Sequence, residues 1–500
     1  LAKSHAGLGF EVRKENEMRS TNPARLTVAI VGGGFTGAAI ALHLAEKAGK
    51  NAAFDIVVFE PRARLGAGLA YDTREDVHRI NVPAGRMSLY PETPEHFQAW
   101  IDKTDALKGD RQAFAADGLP YPRREVFGHY VEAHLAPWVT SGAVRHHRAK
   151  VSDISPLGGQ WRIAAEDGSS LPADIVVLAA THPAPSLPRV LADLRDDPRL
   201  IADATRPGTL DSVEKDDRVL IVGNGLTAAD VIAALGNRGH TGDIVSISRR
   251  GLRSRGHAPQ PQEGFGDFVS EPSPTASHLL HRVRIALRAA SAQGLTWHSV
   301  LDAVRGQGQA IWQSLPVAER RRIARHVRPF WDVHRFRIAP QVEAAVDDAI
   351  SAGRLTVLAA SVNAAEVDAQ GLAVTLKPRR SKEKNRQHFD RVIVTTGPDH
   401  GGVFSSQPFL ASLAGKGIVA ACPTGLGILC DRQGHAIDAE GEVVDGVYIG
   451  GPLARGTFGE LMGLPQVSEY AVFIADRVLG EIEAANVPAA FLDSLSRASS

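Results

Sequence analysis

The chain has 500 residues, 44 % apolar and 22 % charged, with 56 basic and 56 acidic side chains and no formal net charge. That length exceeds what one hydrophobic core usually holds, so two or three domains are expected, and the composition excludes a disordered or fibrous chain. Balanced charge and the lack of any apolar run long enough to cross a bilayer argue against nucleic acid and membrane as partners, which leaves a small molecule and a cytoplasmic location.

The leading LAKSHAGLGFEVRKENEMRS is too polar for a secretory signal, and Met18 stands shortly before the first strand, so residues 1–23 read as a flexible end. From Val28 the sequence VAIVGGGFTGAAIALHL gives a short apolar strand, a glycine turn, and small and apolar residues at helical spacing. Gly32, Gly34 and Gly37, with Phe35 and Thr36 between them, supply a tight turn, room for a pyrophosphate, and close packing of helix on strand. The helix N-terminus offers free amides and a positive dipole end to the phosphates. The next strand, DIVVFEP, ends on Glu60, 23 positions after Gly37, where a carboxylate can accept hydrogen bonds from ribose hydroxyls.

Further along, RVLIVGNGLTAADVIAAL repeats the pattern with Gly223, Gly225 and Thr227 in the turn and Ala228 at the third glycine position. Its next strand, DIVSISRRG, ends on Ser248, Arg249 and Arg250 in place of an acid. Guanidinium groups there can grip a 2′-phosphate that a carboxylate would repel, so this site reads as NADPH-selective and the first as the FAD site.

The order of short strands and turns in Ser141–Pro183 returns in Ala352–Pro398, each segment ending in an apolar strand that runs into AATH or TTGP. A meander seen on both sides of the second glycine turn implies nesting. The expected fold is α/β, with two Rossmann-like dinucleotide-binding domains and the NADPH domain inserted into a split FAD domain. Residues 24–210 form the first part of the FAD domain, 211–375 the NADPH domain, 376–486 the second FAD part, and 487–500 a flexible end. Residues 253–353, rich in helix formers and too long for a loop, form a helical insertion that covers or shapes a site. The segment GVYIGGPLARGTFGELMGLPQVSEYAVFIADRVLG gives a last strand, a turn holding Gly451, then Pro465 and a closing helix whose N-terminus can face the pyrimidine end of a flavin. Cys422 and Cys430 have seven residues between them and no CxxC, so they read as inert buried thiols, and no metal site is expected.

The stretches VGGGFTGAA, GAGLAYDT, HRINVPAGRMSLYPETPEHFQAW, YPRREVFGHYV, WDVHRFRIAP and GPLARGTFGE together resemble the FAD/NAD(P)-binding family that includes L-aspartate N-monooxygenase and an FAD-dependent urate hydroxylase, from Leu26 to Gly480. More distantly the order of sites is similar to class B flavin monooxygenases. The resemblance implies that Arg62 lies near the ribose held by Glu60, and that Asn81, Val82, Pro83 and the loop Gly66–Gly68 lie against the isoalloxazine. Two positions depart from it: Gly459 and Phe336 stand where relatives often carry Trp and His.

The expected activity is hydroxylation of a small nitrogen-containing substrate, an amino acid or purine, by NADPH and O2 through a flavin hydroperoxide. Such chemistry belongs to the cofactor, and the protein orients it and excludes water. A carboxylate on the substrate would need a guanidinium, for which Arg86, Arg124, Arg335 and Arg455 are the candidates. The alternatives are an NADPH oxidase or diaphorase that hydroxylates nothing, and a non-catalytic flavin-binding redox sensor.

Overall fold

The computed structural model describes residues 25–49, 52–181 and 183–485. The readings of residues 1–23, Met18 included, and of 487–500 fall outside them. The first unit opens with β1 (Leu26–Val31), α1 (Phe35–Ala48) and β2 (Phe54–Phe59). The short α2 (Gly68–Tyr71), then α3 (His96–Thr104) and α4 (Arg124–Thr140), lead to β3 (Val144–His147). A three-stranded antiparallel meander, β4 (Val151–Leu157), β5 (Gln160–Ala165) and β6 (Ser170–Ala173), brings the chain back to β7 (Ile175–Leu178).

The second unit contains β8 (Leu200–Ile201), β9 (Val219–Val222), α5 (Leu226–Asn237) and β10 (Ile244–Ser248). After it come the insertion helices α6 (Ala276–Ala292), α7 (Trp297–Gly306), α8 (Gly308–Ser314), α9 (Val317–Arg322), α10 (Arg328–Arg335) and α11 (Pro340–Ser351). The unit closes with β11 (Leu355–Asp368), β12 (Gly371–Pro378), β13 (Asn385–Phe389) and β14 (Arg391–Val394). The chain then re-enters the first unit through α12 (Pro408–Gly415), β15 (His435–Ile437), β16 (Val443–Ile449), α13 (Arg455–Phe458) and α14 (Gln466–Ala485).

The first sheet runs β15-β16-β7-β1-β2-β3, parallel except for β15 at its edge. Its central strands are apolar runs because helices cover both faces: Val28, Ala29 and Ile30 are fully buried, as are Val176, Val177 and Leu178. Helix α1 is buried on every side from Phe35 to Ala45, and its small residues let it sit close between the sheet and α14. The second sheet runs β13-β12-β11-β10-β9-β14-β8.

The two meanders match the internal repeat, with one difference. In the first unit β3 completes the parallel sheet and β4 starts a separate meander. In the second unit the long β11 does both, pairing parallel with β10 as far as Ala359 and antiparallel with β12 from Ala360 onward. The apolar strand β14 takes beside β9 the place that β7 takes beside β1. The second sheet therefore draws strands from 200–394, and the sequence boundaries at 210 and 375 cut through it: β8 and β14, assigned above to the first unit, pair with each other.

Two stretches of chain connect the units, and they run side by side. Pro185 bridges Pro398, the Ser186 amide donates to the Gly397 carbonyl at 3.2 Å, the Asp399 amide donates to the Ala184 carbonyl at 3.2 Å, and the Thr396 hydroxyl donates to the Ser186 carbonyl at 2.7 Å. The insertion has a small core of its own around Phe268, Leu279, Val300, Ile311 and Leu315. Its first part, from Gly251 to Thr275, is irregular rather than helical. That path is pinned by the Arg255 amide on the Val333 carbonyl at 2.8 Å and by the Thr296 amide on Gln262 Oε1 at 3.0 Å.

Candidate active site

The first glycine turn is built so that backbone meets backbone. Gly32 has φ +106°, and a Cβ there would lie 2.5 Å from the Ala179 carbonyl oxygen; one at Gly37 would lie 1.9 Å from the Gly32 oxygen. Helix α1 starts at Gly34 without a side-chain cap, and its first internal bond runs from the Ala38 amide to the Gly34 carbonyl at 2.9 Å. The amides of Phe35, Thr36 and Gly37 therefore have no helical acceptor, which is what a pyrophosphate requires. The loop Gly66–Gly68 closes over the turn, with Gly68 so near Gly34 that a Cβ on it would lie 2.9 Å from the Gly34 Cα. Gly451, at φ +58°, makes a similar close approach to Thr36.

Glu60 is buried at the end of β2. Its Oε2 accepts from the Gly33 amide at 3.1 Å, and its Oε1 from the Arg62 amide and guanidinium at 3.0 and 3.1 Å. Oε2, with one bond, keeps a further lone pair, so the group braces the turn and can still receive a ribose hydroxyl. These residues fit the ADP half of FAD.

The second turn repeats the scheme. Gly223 has φ +130° and leaves no space for a Cβ against the Thr395 carbonyl, 2.4 Å away, and α5 begins after Gly225 without a side-chain cap. Asn224 donates to Ser248 Oγ at 3.2 Å and so fixes the turn to the end of β10. Beyond it Arg249 is exposed, and the Arg250 guanidinium lies 4.6 Å from the centre of the Phe330 ring. Neither has an ion-pair partner among the described residues, whereas Arg253 pairs with Asp347 at 2.7 Å.

The second turn leads through Leu226 and Thr227 to a cavity of about 340 Å³, which residues 80–83 and 462–465 of the first unit also line. Asn81, Val82, Pro83 and Arg86 bound one side, Thr227 at the start of α5 another, and Met462 to Pro465 a third, just ahead of α14. Arg124 and Arg335 also reach it, but Arg455 is buried and is not among the residues that line it. Arg124 donates to the Arg79 carbonyl at 2.9 Å and pairs with Asp230 at 2.8 Å, so its charge is already answered.

Several lining residues carried no signal in the sequence. Arg305 and Arg337 come from the insertion, where single arginines on amphipathic helices have no diagnostic spacing. His257 lies on the irregular stretch and meets Asn81, its Nε2–H donating to the Asn81 carbonyl at 3.1 Å. Burial, with Arg337 and Arg86 nearby, pushes its pKa down to about 4. The ring is therefore neutral at pH 7 with its proton on Nε2, and Nδ1 is left as an acceptor. The Asn81 side chain accepts from the Ala339 amide at 3.2 Å, so this residue ties the first unit to the insertion from both ends.

Cys422 and Cys430 are buried and unbonded to each other, and burial pushes the Cys430 thiol up to about 12. Among the described residues no helix is long and apolar enough to cross a membrane.

Residues 29–183 match the FAD-NAD(P)-binding family model. No curated protein matches the chain. Among solved structures it is similar to the reduced form of ornithine hydroxylase from Pseudomonas aeruginosa, with 17 % identity, TM-score 0.61, and coverage of 90 % of this chain and 98 % of that one. It is also similar to L-lysine 6-monooxygenase from Pseudomonas syringae, with 20 % identity, TM-score 0.58, and coverage of 92 % and 99 %. A third is the ornithine N-hydroxylase of Kutzneria sp. 744 with reduced FAD, NADP+ and L-ornithine, at 17 % identity, TM-score 0.59, and coverage of 93 % and 100 %. At these identities the likeness is one of fold: the α/β arrangement of two Rossmann-like sheets runs the full length of all three.

Proposed function

We propose that the chain is an FAD-dependent, NADPH-using monooxygenase that hydroxylates a small nitrogen-containing substrate. The observation that carries this reading is the single cavity on which the Asn81–Pro83 segment, the start of α5 and the approach to α14 converge. Bound FAD would supply two-electron transfer from NADPH and activation of dioxygen. The residues of the chain do the rest. The amides of the Gly32–Gly37 turn and Glu60 hold the ADP half; Asn81, Val82 and Pro83 form a wall for the ring; the Gly223–Thr227 turn aims the nicotinamide end at the same space. His257, neutral and held by Asn81, adds no proton donor at neutral pH beyond the one it already gives away. The insertion covers the cavity and limits water, which protects an oxygenating site from unproductive oxidation. The ornithine and lysine monooxygenases that share the fold support a nitrogen substrate.

The test is NADPH consumption by the FAD-loaded protein with a panel of amino acids, small amines and purines, read by mass spectrometry. A product that has gained one oxygen, formed in proportion to NADPH, supports the reading. Peroxide in full yield with every compound would make the protein an oxidase instead, and no turnover would make it a sensor. For the coenzyme, Arg249→Ala with Arg250→Ala should raise the KM for NADPH at least tenfold while leaving that for NADH nearly unchanged, since a charge-assisted pair to the 2′-phosphate contributes roughly 1.5–3 kcal/mol. Equal effects on both would remove the 2′-phosphate assignment.

A further inference from the structure

Every residue of α10 but one is buried or partly buried, and the exception is an aromatic: Phe330, 43 % exposed. The solvent side of an amphipathic helix ordinarily takes a polar residue. What the ring meets here is a charge. The Arg250 guanidinium lies over it, 4.6 Å from the ring centre, a cation–π contact between the end of β10 and the insertion.

Backbone fixes both sides of this contact. The Gly251 amide closes a turn onto the Ser248 carbonyl at 3.2 Å, with Arg249 and Arg250 as its central residues. Gly251, at φ +65°, lets the turn lie against β11, where a Cβ would be 3.1 Å from the Ala359 nitrogen. On the other side a π-helical turn, Ile323–Val327, joins α9 to α10, and the Arg328 amide reaches back to the Ile323 carbonyl. One extra residue in a helix rotates the faces beyond it by roughly 100°, and such turns recur at functional sites. Beyond this one, Trp331 and Arg335 meet Glu460 while Phe330 meets Arg250.

We infer that Phe330 is a positioning residue for coenzyme selection: its ring holds the Arg250 guanidinium by one face and leaves the N–H groups at its edge to the 2′-phosphate of NADPH. A guanidinium is planar, so an aromatic ring over its face does not occupy the in-plane donors, and those are the donors that grip phosphate in pairs. Arg250 makes no ion pair among the described residues, whereas Arg253 is held by Asp347, so no carboxylate competes with the phosphate at Arg250. Without the ring, the coenzyme itself would have to order a long arginine side chain, and binding would weaken by that lost entropy. This inference rests on the reading of the second turn as the NADPH site. It brings into that site an element outside the strand–turn–helix motif, α10, which also carries Arg335 to the cavity.

The test is calorimetric titration of the FAD-loaded protein with adenosine 2′,5′-bisphosphate and with 5′-AMP, which lacks the 2′-phosphate; neither probe is redox-active. Phe330→Leu keeps a good helix former at the position and should weaken the bisphosphate roughly two- to fivefold while leaving 5′-AMP unchanged. Phe330→Trp, which restores an aromatic face, should bind the bisphosphate at least as tightly as the parent. In an Arg250→Ala background the leucine change should have no further effect. In turnover, Phe330→Leu should raise the KM for NADPH by the same factor and leave that for NADH where it was. Equal weakening of both probes would put the adenine rather than Arg250 on the ring and overturn the inference. So would an unaltered affinity in Phe330→Leu, or a loss that persists without Arg250. If Arg250→Ala abolishes the preference for the bisphosphate and Phe330→Leu does not, the NADPH reading stands and the brace alone falls. If the unmodified protein binds both probes equally, the NADPH reading falls and takes the brace with it.

Discussion

Gly37→Ala would place a methyl carbon 1.9 Å from the Gly32 carbonyl oxygen, so α1 would have to move off β1 and its first amides would lose their aim. The expected outcome is a protein purified without the visible absorption of bound flavin, which a spectrum checks directly. His257 gives a second prediction. Its folded pKa of about 4 lies below the ordinary 6.5, so between these values the unfolded chain binds more protons and stability falls as pH drops. This one group accounts for up to about 3 kcal/mol across that window. His257→Asn should flatten the slope of unfolding free energy against pH between 6.5 and 4 in urea titrations. The glycine turns and the position of Glu60 at the end of β2 were legible because spacing alone gives a strand, a tight turn and a helix. Arg305 and His257 were not, because their place at the cavity is decided by how distant segments pack, and Arg455, a candidate guanidinium for a substrate carboxylate, is buried and does not line the cavity.

The insertion is the element that completes the site. Trp312 on α8 donates its indole N–H to the Gly456 carbonyl at 2.9 Å, and its ring lies so close to Gly459 that a Cβ there would be 2.8 Å from the indole. Gly459 is the position where the family resembled by the sequence often carries Trp, and here the indole comes from another element to fill the space beside it. Trp312→Ala should cost about 2 kcal/mol, since the side chain is half-buried and its hydrogen bond is lost with it. Chemical denaturation reads the loss; a variant as stable as the parent would show that α8 does not brace the segment 456–459. At this scale the helices of the insertion were readable from its richness in helix formers, its irregular start was not, and the repeat announced both meanders. The boundaries were misplaced because β14, a four-residue apolar strand, looks the same in either sheet, and only its neighbours β9 and β8 assign it.

Across the whole molecule the units are joined by charge as well as by chain. Arg124 on α4 meets Asp230 on α5 at 2.8 Å with both side chains largely buried, and Arg238 at the end of α5 bonds to Glu75 of the first unit. Asp230→Asn would leave the Arg124 guanidinium in place without its counter-charge, an expected loss of about 3 kcal/mol that lowers the melting temperature. Nesting was readable in the sequence, but this contact was not, because Arg124 and Asp230 stand 106 positions apart with no motif linking them. The paired connectors between Ala184–Ser186 and Thr396–Asp399 carry a mechanical consequence. Two strands laced by hydrogen bonds flex readily about the line across their width and resist shear along their length. A displacement of one nucleotide unit against the other would also have to break the Arg124–Asp230 pair and the bond from the Ala339 amide to Asn81, so connectors and contacts together keep Thr227 and Asn81 on one cavity.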